Sequence, residues 1–364
     1  MKTNIIYLFA ILLIISCSES SNDINDSAQP PSNNNGTNSN TDTSIWSIPI
    51  DEVRDGGPGK DGIPSIDNPK FIEAHEADFL ANDHLVVGVV KSGTIRAYPH
   101  KILNWHEIVN DAIDGQSVNI NYCPLTGTAF GWISKTDGVN TTFGVSGLLY
   151  NANLILYDRN TDSNWSQLKL ESVNGNLIGD KPTLFSVVET TWGTWKTLYP
   201  DTKVLSANTG INRNYEIYPY GDYKVNHERF IFRPSIINTS IPNKERVHAI
   251  IDGDKSKVYQ FSNFSGGKAI KDVFNGKNYL IVGNESLIFS FELTQQQTNI
   301  NFHYDYNSSK NVLFKDSEGN RWSVFGKAVQ GPKLNESIVN SKSVMSYWFA
   351  IAAFYPNPEI YSNL

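Results

Sequence analysis

Residues 84–133 read HLVVGVVKSGTIRAYPHKILNWHEIVNDAIDGQSVNINYCPLTGTAFGWI, and the periodicity of this stretch decides the fold class. HLVVGVV and TIRAYP are short β-rich runs separated by a turn, the pattern of two paired strands. In HKILNWHEIVNDAI the apolar residues Ile102, Trp105, Ile108, Val109 and Ala112 recur at helical spacing, which predicts a helix. A turn through Asp114 and Gly115 then leads into SVNINYCP and GTAFGWI, which return to strand patterning. The expected class is therefore α+β, strand-rich, with few short helices.

Working outward toward the C-terminus, the same plan recurs. VHAIIDGDKSKVYQF aligns with VVGVVKSGTIRAYPH, pairing Val86 with Val247, Tyr98 with Tyr259, Asp111 with Asp272 and Gly115 with Gly276 at one spacing of 161 residues. Phe130 meets Phe289, Phe143 meets Phe302, Trp165 meets Trp322, Trp195 meets Trp348, and Tyr199-Pro200 meets Tyr355-Pro356. Anchors in order with slowly shrinking spacing predict two tandem copies of one β-dominated module. The first copy is expected over residues 84–210, a connector over 211–244 and the second copy over 245–364. TTWGTWKTLYPDTKVL predicts a short aromatic helix stopped at Tyr199-Pro200, then a strand.

Toward the N-terminus, residues 45–83 open with IPIDEVRDGGPGKDGIPSIDNPKF, whose glycines and prolines predict a loop wrapping the surface. Gly59-Lys60 lacks the spacer and the following Ser or Thr of a phosphate-binding loop. Residues 18–44 carry almost no apolar side chain and read as a flexible tether. Residues 1–17 combine a basic start at Lys2, an apolar run from Ile5 to Ile15 and a closing Ser16-Cys17. That run is shorter than the roughly 20 residues a membrane span requires. It reads as a lipoprotein signal peptide with Cys17 as the lipidated residue, which implies an anchored protein of the cell envelope facing the periplasm or exterior.

With a net charge of -7 and no basic cluster, the chain is not expected to bind nucleic acid. Its 40% hydrophobic content is enough for a large core. Once Cys17 is assigned to the anchor, Cys123 is the one thiol left, so packing and not disulfides holds the fold. Cys123 follows a strand and precedes Pro124, which ends regular pairing; His106 lies 16 intervening residues upstream on the expected helix. At the copied positions His106 becomes Gly267 and Cys123 becomes Asn284, so the scaffold recurs without either residue. Both side chains are therefore candidates for function, set against the ordinary roles of a helix-edge histidine and a buried small thiol. The glycine-flanked Ser146 in GVSG is one residue short of a hydrolase nucleophile motif.

GGPGKDGIP (56–64), AYPHKILNWHEIVND (97–111), YCPLTG (122–127), FGVSGLLYNANLILYDR (143–159), SNWSQ (163–167), PYGDY (219–223) and KERV (244–247) together resemble the family catalogued as domain of unknown function 3179. The resemblance runs from about Ile48 to the end and implies a secreted or lipid-anchored bacterial or archaeal protein without an assigned activity. Many members resemble this chain but read Cys-Pro-Leu-Cys where it has Thr126, so the resemblance does not carry a dithiol redox role here.

Three classes of function follow. In an enzyme, Cys123 would act as thiolate nucleophile and His106 as general base, with Glu107 or Asp158 orienting the imidazole. In a metal protein, the Cys123 sulfur and His106 nitrogen would suit copper or zinc, although the spacing matches no standard zinc motif. In a binding or scaffold lipoprotein, a small molecule, a glycan or a protein partner would meet the surface, with the 8 Trp and 17 Tyr as available contact groups.

Overall fold

A computed structural model describes residues 45–307 and 311–362. The expected signal peptide, Cys17 and the whole of the expected tether lie outside the described residues. At 43% strand and 11% helix the protein is of the strand-rich α+β class. Among the described residues no helix is long and apolar enough to cross a membrane.

The hairpin Leu85–Lys91 and Thr94–Pro99 forms as the alternation predicts and is the centre of a five-stranded sheet. Val188–Thr191 flanks it on one side; Lys203–Leu205, parallel to Thr94–Pro99, and then Phe71–Glu73 flank the other. Helix α1 (His100–His106) leads out of this sheet. A second sheet places Ile108–Ile113, Gln116–Cys123, Thr128–Ile133 and Leu184–Phe185 side by side. A third is built on the hairpin Phe143–Tyr150 and Asn153–Asp158, followed by Asn164–Ser166 and Glu171–Asn174.

The C-terminal half contains three four-stranded sheets, centred on Arg246–Asp252 with Lys255–Gln260, Lys277–Gly283 with Ile288–Leu293, and Val312–Asp316 with Arg321–Trp322. Helices α2 (Trp192–Leu198) and α3 (Trp348–Phe354) each follow a strand that pairs antiparallel with the first strand of the central hairpin of their half, and each precedes a strand that pairs parallel with the second. Trp192 and Trp348 both open their helices, and Tyr199 and Tyr355 both cap them, so helix position pairs Trp348 with Trp192 and not with Trp195. The cores cross between the halves: Phe130, Trp132 and Trp165 share one cluster with Val247, Ala249 and Trp348, while Val86 and Trp195 share another with Leu280, Phe291 and Phe314.

The helix expected over His100–Ile113 is half as long as the spacing suggested. It stops at His106 because Glu107 takes φ 57°, a left-handed conformation that terminates an α-helix, and its N–H still reaches Leu103 O at 2.8 Å. Ile108–Ile113 is then a strand, its β-branched residues paired in register with Gln116–Cys123. The turn between these strands is the expected Asp114-Gly115, both at positive φ, the conformation that matches the twist of a two-residue hairpin.

The wrapping segment is more than a loop. Val53–Asp55 adds an edge strand to Phe143–Tyr150, and Phe71–Glu73 adds one to Lys203–Leu205. Between them GGPGKDGIP lies on FGVSG: Gly56 N–H donates to Gly147 O and Asp61 N–H to Val145 O, both at 2.8 Å. Gly147 sits at φ 83°, and a Cβ there would come 2.6 Å from the carbonyl carbon of Gly59, so the two backbones meet only because side chains are missing at that point. Arg159 fastens the same segment through Asp67 (3.0 Å) and Ser65 (2.9 Å). The connector, residues 211–244, has no helix or strand and packs its tyrosines over the first half.

Candidate functional site

The turn that ends α1 puts Glu107 and Cys123 into one interior neighbourhood. Cys123 closes its strand, and the following Thr126 and Gly127 N–H groups bond back to its carbonyl at 3.3 and 2.8 Å. Its thiol is 1% exposed and donates weakly to Ala152 O at 3.7 Å. Burial, reinforced by the nearby Glu107 carboxyl, pushes the thiol up to about 11. At neutral pH it is a protonated, poorly nucleophilic group.

His106 is fully buried, and both of its ring nitrogens are spent. Nδ1 lies 2.8 Å from Pro64 O, a carbonyl that can only accept, so Nδ1 carries the proton. Nε2 is then the acceptor for the Tyr215 hydroxyl at 2.7 Å, and Tyr215 continues to Thr209 Oγ1 at 2.6 Å. Burial lowers the imidazole's affinity for a further proton, with the Pro64 contact opposing and Arg213 assisting. The chain Pro64–His106–Tyr215–Thr209 ties the wrapping segment to the connector. No hydrogen bond joins this imidazole to Cys123; the ionisable group that acts on the thiol is Glu107.

Asp158 is also fully buried and is engaged in a turn. It accepts from Thr161 N at 2.7 Å, Thr161 Oγ1 at 2.8 Å and Trp165 Nε1 at 3.0 Å, holding the chain between two strands. Asp316 does the same for Trp322 Nε1 at 2.9 Å and for the N–H groups of Glu318 and Asn320. Neither Asp158 nor Glu107 orients His106 through a hydrogen bond. Among the described residues no group of three or more His, Cys, Asp and Glu side chains gathers to hold a metal ion.

The Glu107 carboxyl faces a cavity. A space of about 240 Å³ lies between Pro58 and Ile63 of the wrapping segment, Val145, Gly147, Leu148, Leu149 and Leu154 of the third sheet, and Tyr220 and Phe232 of the connector. Its mouth lies at exposed Pro58 and half-buried Ile63, Leu148 and Phe232. Glu107 is 6% exposed, and its side chain makes one long hydrogen bond, accepted from the Tyr220 hydroxyl at 3.5 Å. No lysine, arginine or histidine pairs with it among the described residues. Burial raises its carboxyl from an ordinary 4.5 to about 8, while the Tyr220 bond opposes that shift. It is a neutral acid at pH 7, with a proton to give.

Sequence reading places Glu107 only as an orienter of His106 and assigns no role to Tyr220. Tyr220 lies in the quoted PYGDY stretch, where the neighbouring Tyr223 hydroxyl also donates to Leu125 O at 3.0 Å. A second buried pair went unnoticed: His100 Nε2 stands 2.9 Å from Glu189 Oε2, with the His100 ring 4.3 Å from that of Tyr122. The neighbouring His248 is buried against Ser290 and lowered to about 3 by desolvation.

The fold and this cavity define a strand-rich α+β protein with a lone buried acid set into an apolar pocket. Residues 60–358 match the family described as "Protein of unknown function (DUF3179)", and the chain belongs to that family. No curated protein and no solved structure matches it.

Proposed function

We propose that this is a lipid-anchored binding protein of the cell envelope, whose first half holds a small molecule with an apolar body and one polar group directed at Glu107. The observation that carries this reading is the cavity itself: apolar walls converging on a single buried carboxyl and one phenol. A thiol raised to about 11 and an imidazole committed at both nitrogens favour binding over thiolate catalysis or metal ligation by the same two residues. The anchor rests on the apolar run Ile5 to Ile15 before Cys17 and on the polar segment after it, which would let the folded part stand off the membrane.

The same proposal includes an ancient duplication. The Tyr98 hydroxyl donates to Asp111 at 2.6 Å and the Tyr259 hydroxyl to Asp272 at 2.9 Å, 161 positions apart in the chain; Trp165–Asp158 and Trp322–Asp316 form a second matched pair. Where Cys123 ends its strand, Asn284 follows the corresponding strand and closes the next turn with its side chain, accepting from Ser286 N at 2.8 Å and Leu287 N at 2.9 Å. On this reading one copy kept a turn-closing residue and the other, covered by the wrapping segment and the connector, acquired the cavity.

The test is a thermal-shift series with small alcohols, ketones, acids and amines, run on the wild type and on Leu148→Trp, whose indole would occupy the mouth. At least one class should raise the melting temperature of the wild type and leave the variant unmoved. Equal responses from both proteins, or none from the wild type, would refute a binding role for this cavity.

A further inference from the structure

The ligand's polar group can be narrowed by what the cavity lacks. A buried carboxyl is normally paired with a cation or surrounded by donors, because an unpaired charge in an apolar setting is costly. Glu107 has neither: among the described residues Tyr220 is its one hydrogen-bonding side chain, at 3.5 Å, the nearby Cys123 thiol is uncharged at neutral pH, and the remaining walls carry no charged or polar side chain. An anionic ligand would find no positive side chain there and would face the carboxyl. A cationic one would supply the missing partner and form a charge-assisted hydrogen bond in a low-dielectric setting. Tyr220 and Phe232 add ring faces of the kind that attract ammonium groups. The fold already uses that contact elsewhere, where the Lys244 ammonium lies 4.0 Å from the Tyr223 ring centroid and 4.3 Å from that of Phe230. A net charge of -7 favours the approach of cations to the whole molecule.

We propose that the cavity takes a small apolar amine as its ammonium ion, with the nitrogen seated on the Glu107 carboxylate and the hydrocarbon against Val145, Leu148, Leu149 and Leu154. This rests on the binding role proposed above and names its ligand class. Seating the ammonium requires Glu107 to lose its proton, so each binding event releases one proton to solvent: the acid and the ammonium ion go in, the ion pair remains and a proton leaves. Below about pH 8, where the free site holds that proton, affinity should rise about tenfold for each pH unit and then level off.

The experiment is titration calorimetry on the full chain in lipid nanodiscs, with empty nanodiscs as reference, using cyclohexylammonium, cyclohexanol and cyclohexanecarboxylate at pH 6, 7 and 8. The amine should bind more tightly than either analogue, gain about tenfold from pH 6 to 7 and about fivefold from pH 7 to 8, and show a heat that depends on the buffer because a proton is released. Glu107→Gln, close in shape to the protonated acid, should weaken amine binding at least tenfold and remove the pH dependence. Leu148→Trp should abolish binding. If cyclohexanol or the carboxylate binds as tightly as the amine and Leu148→Trp still blocks it, the amine class is wrong and the binding role stands. If no probe binds, or if binding survives in Leu148→Trp, both fail.

Discussion

Replacing Glu107 by Gln should change how stability depends on pH, in a direction set by the cavity. In the folded protein the carboxyl is raised from 4.5 to about 8 by desolvation. Its folded value lies above its unfolded value, so between the two the native state keeps a proton that the unfolded chain has released. Stability is fully present below about pH 4.5 and is lost as the pH climbs to about 8, at a limiting slope of about 1.4 kcal/mol per pH unit. Over the whole window this amounts to about 5 kcal/mol at most. Glutamine does not titrate, so the slope owed to this residue vanishes. At pH 5 the variant should lie within about 1 kcal/mol of the wild type, since one neutral hydrogen-bonding group replaces another. At pH 8 it should be the more stable of the two by about 3–5 kcal/mol. Urea unfolding of both proteins at pH 5, 6, 7 and 8 measures the difference, and the contributions of all other groups cancel in it. A difference that stays constant across those four conditions would mean that Glu107 is ionised or solvated in the folded state, and the reasoning would fail.

Further outcomes follow from the same geometry. Cys123, identified by peptide mass spectrometry, should resist alkylation in the native protein at pH 7 and react readily once the chain is unfolded; rapid native labelling would contradict a thiol at about 11. In Glu107→Gln the thiol should titrate lower than in the wild type, because a charge that opposes its ionisation is gone. His106→Ala would strand the Pro64 carbonyl, leave the Tyr215 hydroxyl with its Thr209 contact alone and open a void, costing about 2–4 kcal/mol by denaturant titration; a cost under about 0.5 kcal/mol would show that the imidazole is not the tie described. Gly147→Ala should cost about 1–3 kcal/mol and speed proteolysis within residues 56–64, since the added carbon meets Gly59 in a left-handed backbone; unchanged cleavage would overturn the account of that contact.

Much of the scaffold was legible because it is written in local patterns. The hairpin Leu85–Lys91 with Thr94–Pro99 follows from alternation, the Asp114-Gly115 turn from residues that tolerate positive φ, and α2 from its aromatic spacing and Tyr-Pro stop. The misread helix shows the limit. Ile108 and Val109 fit a helical stripe as well as a strand, and what separates the two is a positive φ at Glu107, a residue type that gives no local sign of it. The site was half legible for a related reason. Cys123 and His106 attract notice by residue type, and comparison with Asn284 and Gly267 sharpens it. Yet the burial that raises the Glu107 carboxyl is completed by the connector around Tyr220 and Phe232, more than a hundred residues downstream, and by a glycine-rich segment that precedes the first hairpin, while the Tyr220 hydrogen bond itself opposes the shift. Those contacts are tertiary, and no spacing rule reports them. The pairing of His106 with Tyr215 across the connector is hidden in the same way.

The central claim is that Glu107 is a neutral acid facing a ligand cavity. Its most direct test is the infrared difference spectrum of wild type against Glu107→Gln at pH 6.5 and pH 9. A protonated carboxyl C=O band, present at pH 6.5, absent in the variant and replaced by a carboxylate band in the wild type at pH 9, is the predicted result. A carboxylate band for Glu107 already present at pH 6.5 would contradict it.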